Sequence, residues 1–153
     1  MSYPTTTLAA LSTLFAGGGT LGTDFAGSGG LWVGGVPEDK DVSLPLAVLV
    51  HHDEKPEWNF ESATVQETTD FDLVIYAIGL AVAEGLANNV KAVFDPSSNN
   101  SKGDFVQLTM TGVNAAWLER QSYRIRLVDY RAADSSWVYE ITLPYKAFVV
   151  RNI

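Results

Sequence analysis

Four side chains with metal-ligand chemistry stand in a row at His51-His52-Asp53-Glu54. They close an apolar run that reads as a strand, and neighbouring strand residues point to opposite faces, so the two imidazoles are badly placed to chelate one ion. Asp70 and Asp72 do share a face, roughly 7 Å apart at the usual strand rise, and paired carboxylates are a general acid-base device. With no histidine set beside them by sequence, they read as a solvated acidic stripe. Gly17, Gly19 and Gly22 have the G-x-G-x-x-G spacing that lets backbone amides approach a pyrophosphate. That motif needs a strand before it and a helix after it; here a helix precedes it, so a dinucleotide cofactor is not expected. Arg124 and Arg126 share a strand face, and their forked guanidinium groups suit carboxylates across an interface, which makes them the interaction candidates. Trp32, Trp58, Trp117 and Trp137 have no basic stripe beside them and read as core or rim residues rather than base-stacking platforms. The inventory supplies no catalytic residue, no cofactor site and no metal cage, so the chain reads as a shape-making, partner-binding protein and not an enzyme.

The elements that position these residues follow from periodicity. Pro4 and Thr5-Thr6-Thr7 offer a helix start, and Leu8, Leu11, Leu14 and Phe15 recur at helical spacing until Gly17-Gly18-Gly19. Residues 17–30 are mostly Gly, Thr and Ser around Leu21 and Phe25, and read as a flexible loop. Leu31-Trp32-Val33 is a short strand, followed by an acidic turn over residues 36–41. Pro45 then opens Leu46 to His52, a strand that Pro56 and the residues around Trp58 should break. From Thr64 the alternation is strict: Val65, Phe71, Leu73 and Ile75 on one face, and Thr64, Gln66, Thr68, Asp70 and Asp72 on the other. Leu80 to Phe94 carries Val82, Ala83, Leu86, Ala87, Val90, Val93 and Phe94 at helical spacing, with Asn88, Asn89 and Lys91 opposite, and stops at Asp95-Pro96. A turn-rich loop over 97–103 leads to an alternating Val106, Leu108, Met110. Residues 123–128 and 137–143 alternate as an antiparallel hairpin across a loop at 131–136. This order predicts an α+β fold, a mostly antiparallel β-sheet packed on two helices in a single domain over 1–153.

Composition narrows the role. A chain of 153 residues fits one domain burying roughly 70% of its unfolded surface, and 46% apolar with 18% charged residues lies well outside the disordered regime. Without cysteine there are no disulfides or thiolate metal sites, which suits a reducing cytoplasm. No apolar stretch approaches the ~20 residues of a membrane span, and no secretory pattern opens the chain, so the sequon Asn99-Asn100-Ser101 reads as a polar loop. The net charge of −8 is polarised: residues 1–95 carry 13 acids and 3 bases, whereas residues 96–153 carry 5 acids and 7 bases. That balance argues against tight phosphate binding, yet lets the acidic side of one copy meet the basic side of another, the head-to-tail contact that closes rings.

Leu31-Trp32-Val33, the acidic turn, Leu44-Pro45-Leu46-Ala47-Val48, Phe71 to Tyr76, the helix Ala81 to Phe94, Tyr123 to Leu127 and the closing Tyr145 to Val150 together resemble the tail-terminator or tail-completion proteins of long-tailed bacteriophages. The likeness runs over residues 5–151, departing at Leu46, where the family often has an aromatic, and in the length of the 17–30 loop. The resemblance implies a non-enzymatic virion protein, made in the host cytoplasm, forming a homo-oligomeric ring, commonly a hexamer, at the head-proximal end of the tail. Its partners would be itself, the tail tube protein and the head-tail connector protein, with DNA passing through unbound. On that reading Asp70 and Asp72 border the lumen, and Arg124 and Arg126 lie at the subunit contact. A head-tail connector or stopper is the alternative within the class; a small-molecule-binding or hydrolytic α+β protein is the alternative outside it.

Overall fold

A computed structural model describes residues 6–25, 30–35, 43–95, 106–131 and 135–152. Helix α1 (Thr7–Gly17) begins where the Thr6 hydroxyl accepts a hydrogen bond from the Ala9 amide at 3.1 Å, satisfying one of the donors a helix start leaves free. The acidic turn at 36–41, the loop at 97–103 with its sequon and residues 132–134 of the 131–136 link fall outside the described residues. Within the segment read as a flexible loop, Leu21–Asp24 form a short helix, α2, and both Leu21 and Phe25 are buried. Gly18 serves close approach rather than looseness: a Cβ there would lie 2.5 Å from Val93 Cγ1, so the end of α1 sits directly on helix α3 (Leu80–Phe94). Helix α3 itself starts at Gly79, whose φ of 87° favours glycine and whose amide donates to the Trp137 carbonyl at 2.9 Å.

The strands are β1 (Trp32–Val33), β2 (Leu46–Asn59), β3 (Thr64–Ile78), β4 (Val106–Gln107), β5 (Ala115–Arg120), β6 (Arg124–Arg131) and β7 (Ser136–Asn152). They form one sheet in the order β1-β2-β3-β7-β5-β4, with β6 also paired to β7. All described pairings are antiparallel except β1 with β2, so the chain is α+β as expected, with three helices among the described residues instead of two. Strand β5 is absent from the sequence reading, because Ala115-Ala116-Trp117-Leu118-Glu119-Arg120 lacks clean alternation. The Val106 to Met110 signal shrinks to the two residues of β4.

Two prolines behave differently from the expectation. Pro56 does not end β2, which runs on to Asn59, because β2 is the edge partner of β3 there and an edge strand has no second ladder to lose. Pro144 lies inside β7, paired with Asp72 on one side. Its carbonyl accepts from the Gln121 amide at 2.8 Å, on the side where β7 changes partner from β5 to β6. A residue's N–H and C=O point to the same side of a strand, so the donor that proline lacks falls at that junction and the β3 ladder stays whole.

One face of the sheet takes the helices. Odd-numbered residues of β3 (Phe71, Leu73, Ile75, Ala77) and of β7 (Ile141, Leu143, Tyr145, Ala147, Val149) are buried against Ala83, Ala87, Val90 and Phe94 of α3 and Leu11 and Phe15 of α1. Val82, grouped with the apolar face by its spacing, is instead exposed. Aromatic rings link the layers: Phe15 meets Phe94 at 6.2 Å, Phe94 meets Tyr145 at 5.6 Å, and Tyr145 stacks on Phe71 at 5.6 Å. The Tyr145 hydroxyl donates to Asp95 Oδ1 at 2.8 Å, and Arg120 Nε donates to Asp95 Oδ2 at 2.8 Å. Burial and the Asp95 carboxylate push the Tyr145 hydroxyl far above its ordinary pKa, so it stays a donor. Tyr145→Phe removes one bond to a charged acceptor while leaving the ring packing, and should cost about 1.5–3 kcal/mol in urea unfolding.

Candidate functional site

The other face of the sheet carries no described helix, and the candidate residues collect on it. Asp70 and Asp72 both project there, as their alternation predicts, but neither stands alone. The register shift in β2 between His51 and Asp53 brings His52 Nε2 to 2.8 Å from Asp72 Oδ2. The sequence reading missed this pair, since strict alternation over residues 51–54 takes no account of a bulge. Asp70 Oδ1 lies 4.0 Å from Lys146 Nζ. The acidic stripe is therefore partly countered by neighbouring charge.

Arg124 and Arg126 also share this face, opposite Thr142 and Glu140 of β7. Arg126 Nε donates to Glu140 Oε1 at 2.8 Å, and the Tyr76 hydroxyl is hydrogen-bonded to the same carboxylate. The pair is unequal: the Arg126 side chain is 71% exposed and that of Glu140 only 14%. Burial, then the Glu140 carboxylate, pushes Tyr76 up from 10.0 to about 12. Burial alone would raise Glu140, but the bonds from Arg126 and Tyr76 outweigh it and hold the carboxyl below its usual 4.5. Glu140 in turn raises Arg126 further.

Beyond His51 the β2–β3 hairpin projects as an arm: residues 51–63 are exposed, and β2 there shows both its faces to solvent. Trp58, 54% exposed, stacks on Phe60, 80% exposed, near the arm's turn, with ring centres 6.4 Å apart. At the other end of the sheet Trp137 and Tyr130 are exposed as a pair at 4.4 Å, whereas Trp117 lies flat on Phe148 at 5.3 Å. Two of the four tryptophans thus face solvent rather than a core.

A shallow depression at the root of the arm is lined by Thr6, His51, Glu54, Glu67, Thr69 and Arg151, among others. Thr69 Oγ1 is buried there without a hydrogen-bond partner among the protein groups, and Arg151 Nε donates to Glu67 Oε2 at 3.3 Å. Arg151 occupies the Glu67 carboxylate, and the depression lacks a nucleophile hydrogen-bonded to a base. Among the described residues no three His, Asp or Glu side chains converge to hold a metal ion. Nor is any described helix long and apolar enough to cross a membrane.

The arrangement is that of an α+β protein whose exposed chemistry lies along the rims and the bare face of one sheet. No protein-family model matches the chain, and no curated protein matches it. Among solved structures it is similar to a chain of the virion of a native gene transfer agent (GTA) particle, with 16% identity over 78% of each chain and a TM-score of 0.50. At that identity the likeness is one of fold.

Linkage sets how the Tyr76–Glu140–Arg126 cluster responds to pH. The depressed Glu140 stabilises the fold above its ordinary value, and that contribution fades as pH falls through the lowered pKa. The raised Tyr76 contributes fully below 10.0 and less as pH climbs toward about 12. Glu140→Gln should flatten the acid limb of the stability curve below about pH 4.5. It should also bring the Tyr76 phenol down from about 12 part of the way to 10.0, read by ultraviolet or NMR titration, with the share due to burial remaining.

Proposed function

We propose that this chain is a structural, non-enzymatic protein of a phage-like virion. It assembles with copies of itself into a ring, a hexamer on the family resemblance, at the head-proximal end of a tail tube. There it ends tube polymerisation and offers the head-tail connector its joining surface. The whole chain acts as one tail-terminator-like domain. The observation that carries this reading is the shared fold with a chain of a gene transfer agent virion over 78% of both chains. Two further features support it: the polarised charge, and the concentration of exposed aromatic and charged groups on the sheet rather than in a cleft.

In this ring the bare face, with Asp70 and Asp72, borders the channel, while Arg124 and Arg126 lie toward the neighbouring copy. An acidic border repels phosphates only within about 8 Å at physiological salt, enough to keep passing DNA from sticking without blocking it. Lys146 tempers that field at its centre.

Electron microscopy of the purified protein, alone and mixed with tail tubes, tests the reading. Rings capping tube ends are expected; capture by isolated connectors with indifference to tubes would move the protein to the neck as a connector or stopper. Asp70→Lys with Asp72→Lys should leave ring numbers unchanged and slow DNA ejection. Ejection at the unmodified rate would remove these residues from the channel border.

A further inference from the structure

Besides the short outer strands β1 and β4, two longer edges have no strand partner among the described residues, and these two complement each other. Strand β1 covers β2 only at Val48 and Leu49, and among the described residues nothing pairs with the outer edge of β2 from His51 to Asn59. Strand β6 likewise has β7 on one side and no described strand on the other. Edge strands with free N–H and C=O groups are templates for strand addition, and natural proteins cover or charge them. These two are charged with opposite sign. The arm from His51 to Glu61 carries Asp53, Glu54, Glu57 and Glu61 against Lys55, and β6 carries three arginines against Asp129.

Direction and facing agree with the charge. Strands β2 and β6 run opposite ways, since β3 is antiparallel to β2, and β7 is antiparallel to both β3 and β6. Two copies related by rotation about a ring axis would thus bring β6 of one against β2 of the next in antiparallel sense. That sense sets the far end of the arm, with Glu57, against the Arg124 end of β6. Register places Glu57, like Arg124 and Arg126, on the helix-free face, and places Trp58, like Leu127, on the helix side. Each edge thus presents charge on the helix-free face and an exposed apolar side chain on the helix side.

We propose that the acidic arm of one copy adds to β6 of the next as an antiparallel strand, making one continuous sheet around the ring. The inference rests on the ring reading above and names its contact. The two edges are staggered: Lys55 is level with Phe148 of β7, and Leu127 with Tyr139. That offset of about nine residues, roughly 30 Å at strand rise, tilts the strands against the ring axis, as shear does in a closed barrel.

Because the chain has no cysteine, introduced thiols report contacts without background. A double variant, Glu57→Cys with Arg124→Cys, treated with a short bismaleimide should give a covalent ladder ending at the ring size. Each single variant should stay uncoupled, because unlike edges meet. Rings seen by microscopy without any ladder would overturn edge pairing and leave the ring intact; neither rings nor ladder, with tubes present, would overturn both. Arg124→Glu with Arg126→Glu should weaken self-association by about tenfold or more. Adding Glu57→Lys and Glu61→Lys to that variant should restore it, which simple misfolding would not allow, and failure to restore would sink the pairing.

Discussion

The architecture turns on a mismatch of lengths. A helix rises about 1.5 Å per residue and a strand about 3.3 Å, so α3 and β3, each of 15 residues, span about 22 Å and about 50 Å. The helix layer can cover only part of the sheet it packs on. Where it does, β2 is buried from Leu46 to Leu49; where it does not, the same strand is exposed from His51 onward. The arm, its bare edge and its solvent-facing aromatics all follow from that shortfall, with the β3–β7 ladder holding the uncovered part in line.

The same chemical triple anchors both faces of the sheet. On the helix side Tyr145 and Arg120 converge on Asp95, just past the end of α3. On the bare side Tyr76 and Arg126 converge on Glu140. In each, a carboxylate accepts from a phenol and a guanidinium, which keeps the phenol protonated. The first triple fastens helix to sheet in a part-buried setting. The second leaves most of its arginine in water, positioned by the less exposed carboxylate beside it.

Much of this was legible in the residues. The alternation from Thr64 and the helical spacing from Leu80 mark β3 and α3 because one buried face imposes a regular period on each. The hairpin of β6 and β7 is visible for the same reason. What the residues concealed depends on partners distant in sequence. Pro56 looks like a strand break until β2 is known to be an edge, and β5 has no period because Trp117 finds its stacking partner in Phe148, far along the chain. The meeting of His52 with Asp72 needs both a cross-strand register and a bulge. Asp70, Asp72, Arg124 and Arg126 were correctly assigned to shared faces, but their intramolecular partners Lys146, His52 and Glu140 emerge only once the strands are aligned.

The charges on the arm bear on how the chain avoids stacking on its own copies. A long bare strand ending in Trp58 and Phe60 is the kind of surface on which chains stack indefinitely, like with like. Here two identical arms laid side by side would crowd Asp53, Glu54 and Glu57 against their own copies, and Pro56 withholds one amide from the new ladder. Fibre-like stacking through this strand is thus penalised, so the arm carries its own safeguard against edge-to-edge aggregation.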